Sequence, residues 1–301
     1  MSSPLPNAFD LAWNRGLAPD LGKTFQILPI APCYTSQLFR PLHGELLKTL
    51  RGLDAEGWNR QTLAPQWKVR DVAAHLLDGD LRKIAVYRDG HLLPPEPPIA
   101  SEHDLTQFIN RQNASGVSYA ARLSPALIAD LLDVTGRWVA DLVEQLPPHG
   151  RSIFSVSWAG ETESENWMDT GREYTERWHH QMQIREATGR PLLLSPEWMM
   201  PLLDISVRAL PHAYRVVDAR AGASISLNVV GETTGAWTLR RRAAGWQLTT
   251  GSDEGAETTV CLPADIAWRV FYNAPYDRAQ VRVDGDAALA APLFRTRSVI
   301  V

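Results

Sequence analysis

The chain has 301 residues with 30 Lys and Arg against 34 Asp and Glu, a net charge of −4 and an isoelectric point near 6.1, so it has no basic footprint for nucleic acid. Its 45% hydrophobic and 21% charged residues are the balance of a soluble globular protein, and its length points to two domains. No apolar run approaches the roughly 20 residues of a membrane span, and Met1–Asn7 lacks the pattern of a signal peptide, so neither membrane nor export is expected and the location is read as cytoplasmic.

The first 35 residues carry several prolines and no sustained period, and are read as an N-terminal arm. From Ser36 to Leu53, leucines 38, 42, 46, 47, 50 and 53 recur at helical spacing. A second helix is expected from Val69 to Arg88, stopping at Gly90, and a third, broken one from Asp104 through Asn113 to about Arg122. Ser124-Pro125 is an N-cap followed by an N1 proline, which opens a fourth helix ending before Pro147-Pro148. A fifth runs from Asn166 to Thr188 and closes at Gly189. Residues 36–193 thus form a helical bundle. Beyond Ser195-Pro196 one more helix reaches about Arg215. Alternating segments then follow at 224–230, 235–240, 245–250 and 258–262, with helices expected at 263–268 and 286–294. Residues 194–301 are read as an α+β domain.

Within the fifth helix, Glu173-Tyr-Thr-Glu176-Arg-Trp-His179-His180 sets a carboxylate and an imidazole one turn apart. At about 100° per residue, Glu173, Glu176, Ile184 and Ala187 fall on the side of His180, whereas His179 points to the polar side with Arg172, Gln183 and Glu186. His75 borders the apolar face of the second helix, with Gly79 one turn on. Two imidazoles and a carboxylate would leave a coordination position open, as in a catalytic zinc site. Spacing alone equally allows a hydrogen-bonded His75 and a Glu176-Arg177 pair on a solvated face, because a carboxylate on a core-facing stripe needs either a metal or a cation.

Other features are weaker. Histidines 43, 91, 103, 149 and 212 show no partner pattern and are read as surface or capping residues. The serines lack a Gly-x-Ser-x-Gly elbow, and there is no Gly-rich phosphate loop. Cys33 and Cys261 are far apart and read as small hydrophobes. Tryptophans 58, 67, 158 and 167 sit at helix junctions and read as core or cleft wall.

Glu56-Gly-Trp58-Asn-Arg-Gln-Thr62, then Trp67-Lys-Val-Arg-Asp-Val-Ala-Ala-His75, Arg111-Gln-Asn113, Glu176-x-x-x-His180 and Ile184-Arg-Glu-Ala187-x-Gly189-Arg190, resemble the metal-binding N-terminal domain of mycothiol-dependent maleylpyruvate isomerases. That domain belongs to the wider DinB-like four-helix-bundle superfamily. More loosely, Val281-Arg-Val-Asp-Gly285-Asp286 is similar to the sterol-carrier-like α+β domain that follows it in the same family. The fold class implied is α+β multidomain, an up-down bundle followed by that small domain. The resemblance implies that His75, Glu176 and His180 bind a divalent metal, zinc above all, and that the cofactor beside it is a low-molecular-weight thiol such as mycothiol. It implies a thiol-dependent isomerase or S-transferase acting on a small electrophile, with a catalytic arginine from the C-terminal domain that no motif assigns among Arg215, Arg240, Arg269 and Arg282. Many relatives carry Asp where this chain has Gln183. A hydrolase using metal-bound water, or a non-catalytic protein that binds metal or an apolar ligand, are the competing expectations.

Overall fold

The computed structural model describes residues 28–299, so the expected arm lies outside the described residues as far as position 27. These residues divide into two compact units: Pro32–Leu193 with Asp204–Ser206 and 298–299, and residues 28–31 with Leu194–Leu203 and Val207–Arg297. None of the described helices is long and apolar enough to cross a membrane.

The first unit is built on α1 (Phe39–Arg51), α2 (Val69–Tyr87), α3 (Glu102–Ala120), α4 (Pro125–Gln145) and α5 (Asn166–Ala187). Local chemistry sets the helix starts. The Asp71 carboxylate accepts from the Lys68 amide at 2.9 Å, and the Ser101 and Ser124 hydroxyls accept from the Asp104 and Leu127 amides at 3.1 and 3.2 Å, each satisfying a donor left over at a helix N-terminus. Helices α1 and α2 each pack on both α4 and α5, which makes a four-helix bundle, and α3 lies along α2. Its core includes Leu46, Leu50, Trp58, Val72, Leu76, Ile128, Leu132 and Ile184. Direction alternates from helix to helix along the chain. Because α3 returns the chain, α2 and α4 run the same way, as the contacts Arg70–Ala121 and Asp80–Thr135 show.

The break expected in the third helix between Asp104 and about Arg122 is absent, for α3 runs without interruption from Glu102 to Ala120. A Cβ at Gly116 would sit 2.3 Å from the Asp78 side chain of α2. The glycine serves close approach of two helices rather than a stop.

The second unit holds a six-stranded mixed sheet in the order β1-β4-β3-β2-β5-β6, with β1 Leu28–Pro29, β2 Ser224–Val230, β3 Gly235–Arg242, β4 Gly245–Thr250, β5 Thr258–Pro263 and β6 Arg282–Gly285. Strands β2 and β5 are parallel and the other pairs antiparallel. Edge strands β1 and β6 were not among the expected elements. Ile225, Leu227 and Val229 make the apolar face of β2, while the alternate Ser224, Ser226 and Asn228 are buried too. The Ser226 hydroxyl accepts from the Asp253 amide at 3.0 Å, and Thr238 on β3 donates to the Gly251 carbonyl at 2.8 Å, so the loop after β4 supplies partners to these two hydroxyls. The helix expected to run to Arg215 is instead α6 (Pro196–Ser206), a 3₁₀ turn and a short helix Leu210–Ala213, consistent with prolines 201 and 211 in its path. Ala264–Phe271 forms α7. The stretch expected as a helix over 286–294 is helical only over Ala287–Ala290, with a 3₁₀ turn at Leu293–Arg295.

Candidate metal centre

Helix α5 buries most of its residues although its composition is polar, so the face it turns inward carries charge. Asp169, Glu173, Glu176 and His180 stand at spacings of four, three and four along one side of it. Facing them from α2, which runs antiparallel, are His75, Asp80 and Lys83.

At one end of this seam, His75, Glu176 and His180 each offer a ligand atom, all within 4.8 Å of one another. The Nε2 atoms of His75 and His180 lie 3.4 and 3.1 Å from the same oxygen, Glu176 Oε1. Ligands about 2.0–2.1 Å from a tetrahedral zinc stand about 3.3 Å apart, so those two edges have the right length. The Trp67 ring covers His75 at 4.9 Å between centroids and His180 at 6.0 Å. Gln183, one turn beyond His180, presents Oε1 to His180 Nδ1 at 2.9 Å. With the amide oxygen as acceptor, the tautomer protonated on Nδ1 leaves Nε2, the atom facing Glu176, free to ligate. Two imidazole nitrogens and a carboxylate oxygen this close together are a donor set suited to a divalent cation. The electrostatics agree: burial pushes the pKa of His75 down, against the raising effect of Glu176, and so favours the neutral imidazole that binds metal. Burial pushes Glu176 up, but the His180 and His75 contacts outweigh it and hold the carboxyl well below its ordinary value. A neutral imidazole and an ionised carboxylate are the forms a divalent ion takes.

His179 corrects the helical-wheel expectation. It lies buried rather than on a polar side, its ring 4.0 Å from that of His180, and burial together with the neighbouring His180 lowers its pKa to about 3. It still stands outside the group of three converging ligands. His43 likewise is neither a surface nor a capping residue. It is buried against Gly136 of α4, where a Cβ would come within 2.1 Å of the imidazole, and burial lowers its pKa.

Farther along the seam the charges pair with one another. Arg177 contacts Asp80 at 2.6 Å and Glu173 at 3.2 Å, and Thr135 donates to Asp80 at 2.7 Å. Asp169 receives Lys83 at 2.8 Å, Arg172 at 2.6 Å and the Tyr87 hydroxyl at 2.5 Å. Burial opposes the charge on Asp169, but Arg172 and Lys83 together overcome it and depress its pKa strongly. Cations therefore answer Asp80, Asp169 and Glu173, whereas Glu176 meets only imidazoles among the partners that touch it. Sequence reasoning missed this network. The signal was present in the continuation of the Glu176-His180 spacing back to Asp169 and of the His75 face on to Asp80 and Lys83.

Of the four arginines named for the second unit, Arg240 pairs with Asp253, Arg282 with Asp284 at 2.7 Å, Arg215 donates to the His212 carbonyl at 2.8 Å, and Arg269 stacks on Trp268 at 4.6 Å. Trp58 is in the bundle core, while Trp158 and Trp167 pack beside Val156, Met168 and Ile205.

No curated protein matches the sequence. Crystal structures of the mycothiol-dependent maleylpyruvate isomerase and of a histidine-to-alanine mutant of it align over 84% of this chain and 92% of theirs. The identities are 12% and 11% and the TM-score is 0.49 for both, a likeness that carries no information on chemistry. The family described as the mycothiol maleylpyruvate isomerase N-terminal domain matches residues 39–185, from the start of α1 to the last turn of α5, and this span contains His75, Glu176 and His180. Through residues 39–185 the chain belongs to the mycothiol maleylpyruvate isomerase N-terminal domain family.

Proposed function

We propose that His75, Glu176 and His180 hold one divalent ion, zinc, and that the chain is a thiol-dependent isomerase or S-transferase acting on a small electrophile of the maleylpyruvate kind. The observation that carries this reading is the convergence of two imidazole Nε2 atoms on one carboxylate oxygen, with no cation among the described contacts of Glu176. Bound there, the ion supplies positive charge that lowers the pKa of a thiol at its open position.

The chain's own side chains do the rest. Glu176 brings the negative charge that neutralises part of the ion's, and two neutral imidazoles complete a set of three, leaving room for an exogenous ligand. Gln183 fixes the ring and tautomer of His180, as the hydrogen bond on the far nitrogen of a ligating histidine does. Trp67 shields one side of both rings from water. For isomerisation, a thiolate adds to a conjugated double bond, the resulting single bond rotates, and elimination of the same thiolate restores the double bond in the other geometry. S-transfer shares the attack and ends instead with loss of a leaving group.

The test is turnover of maleylpyruvate by the zinc-loaded protein with and without mycothiol, beside His75→Ala. Conversion to the trans isomer that requires both the thiol and His75 is the expected result. Substrate hydrolysis indifferent to the thiol would replace this reading with the metal-bound-water hydrolase. Metal binding with no turnover of this or other conjugated electrophiles would replace it with a binding protein.

A further inference from the structure

Helix α4 carries an exposed apolar stripe, one member of which, Trp138, has the Arg88 guanidinium 5.4 Å from its ring centroid. Leu127, Leu131, Val134 and Trp138 are 44%, 36%, 37% and 46% exposed, on the side away from buried Leu132 and Val139. Their spacings of four, three and four are those of alternating d and a positions in a heptad. They form one stripe about 17 Å long at a 1.5 Å rise per residue. In that register, the g positions beside the stripe are Asp130 and Arg137, whose side chains are 72% and 57% exposed. The e positions, Ile128 and Thr135, turn into the chain's own core.

This pattern is complementary to itself in one orientation. When two copies of α4 pair antiparallel about a twofold axis between Leu131 and Val134, Leu127 meets Trp138 of the second copy, and Leu131 meets Val134. The relation is reciprocal, as a twofold interface requires. Antiparallel pairing sets g against g, so Asp130 faces Arg137 of the other copy and Arg137 faces its Asp130, giving two opposite-charge pairs. Parallel pairing would set g against the buried e positions and give neither. Within one chain, Asp130 lies 3.8 Å from Arg51, and Arg137 lies 2.7 Å from Asp133. Pairs this exposed are weak and exchange readily.

We propose that this face of α4 is a self-association surface that pairs antiparallel with a second copy of the chain. Four apolar layers and two flanking ion pairs are fewer contacts than an obligate interface has, and suit a concentration-dependent dimer with a dissociation constant of micromolar order.

Sedimentation velocity of the full chain from about 1 to 200 µM tests this, because that range brackets a micromolar constant. The wild-type mass should rise with concentration from 33.5 kDa toward twice that value. Leu131→Asp should stay monomeric, with its melting temperature showing that the bundle is intact. Asp130→Arg and Arg137→Asp should each weaken dimerisation about tenfold, since each turns both pairs repulsive. The double variant D130R/R137D should return to within about threefold of wild type. A wild type that stays at 33.5 kDa throughout, as it would if residues 1–27 or a different protein covered the stripe, overturns the proposal. So does a double variant no tighter than the single ones.

Discussion

Gln183 offers a test that separates a metal ligand's support from general stability. Its Oε1 lies 2.9 Å from His180 Nδ1, and the side chain is half-buried, so Gln183→Leu removes the acceptor while keeping much of the volume. Without that acceptor, the His180 ring is free to carry its proton on Nε2, the atom turned toward Glu176, and to rotate. Loss of such a contact behind a ligating histidine lowers metal affinity by about 10- to 100-fold, which is about 1.4–2.7 kcal/mol. Competition against a chromophoric chelator gives the dissociation constant directly. The metal-free variant should unfold within about 1 kcal/mol of the metal-free wild type, because a single half-buried neutral hydrogen bond contributes about that much. Gln183→Asp should bind at least as tightly as wild type, since a carboxylate is the stronger acceptor. Zinc affinity of Gln183→Leu within twofold of wild type would refute the role given to this residue.

Asp169→Asn should destabilise the helical unit by about 3–5 kcal/mol in denaturant unfolding, because Lys83 would be left buried without its counter-charge, and a Lys83→Met/Asp169→Leu double variant should recover only part of that loss, since Arg172 and Tyr87 still lose their partner. His43 has a pKa below its unfolded value of about 6.5, so the unfolded chain takes up a proton that the folded chain refuses as pH falls. Its contribution is therefore complete above about pH 6.5 and is lost below it, and wild type should lose more stability than His43→Gln between about pH 7.5 and 5.5. An equal loss in both proteins would remove His43 as the cause. His179→Ala should weaken the fold by about 2–4 kcal/mol, as truncation of a buried ring does, yet keep one metal equivalent in elemental analysis.

The helices were legible in the sequence from their period and, in places, from a cap or a stop, Ser124-Pro125 being the plainest instance. The third helix was expected to be broken and is continuous, and its Gly116 admits the Asp78 side chain of a neighbouring helix, a role that only packing reveals. Strands β1 and β6 have two and four residues, too short for an alternating pattern to register. At the site, Glu176 and His180 share a turn and so share a line of sequence, whereas His75 lies 101 positions from Glu176. Residue types and the resemblance could name His75, but nothing local could place it. The buried charges of α5 escaped for the opposite reason: polar residues at helical spacing describe a solvated face as well as an ionic seam, and the partners that decide between the two, Asp80 and Lys83, sit on another helix. His179 and His43 were misplaced because the wheel gives direction around a helix, and burial depends on what packs there.

The most direct measurement is a cobalt titration of metal-free protein followed by addition of a small thiol, read in the visible and near-ultraviolet. If His75, Glu176 and His180 hold an ion with a position open to sulfur, one equivalent of cobalt should bind, and thiol should then add a sulfur-to-cobalt charge-transfer band that is absent in His180→Ala and present in His179→Ala. A wild-type protein that takes up no stoichiometric cobalt, or one whose spectrum is unchanged by thiol, would contradict the proposed centre.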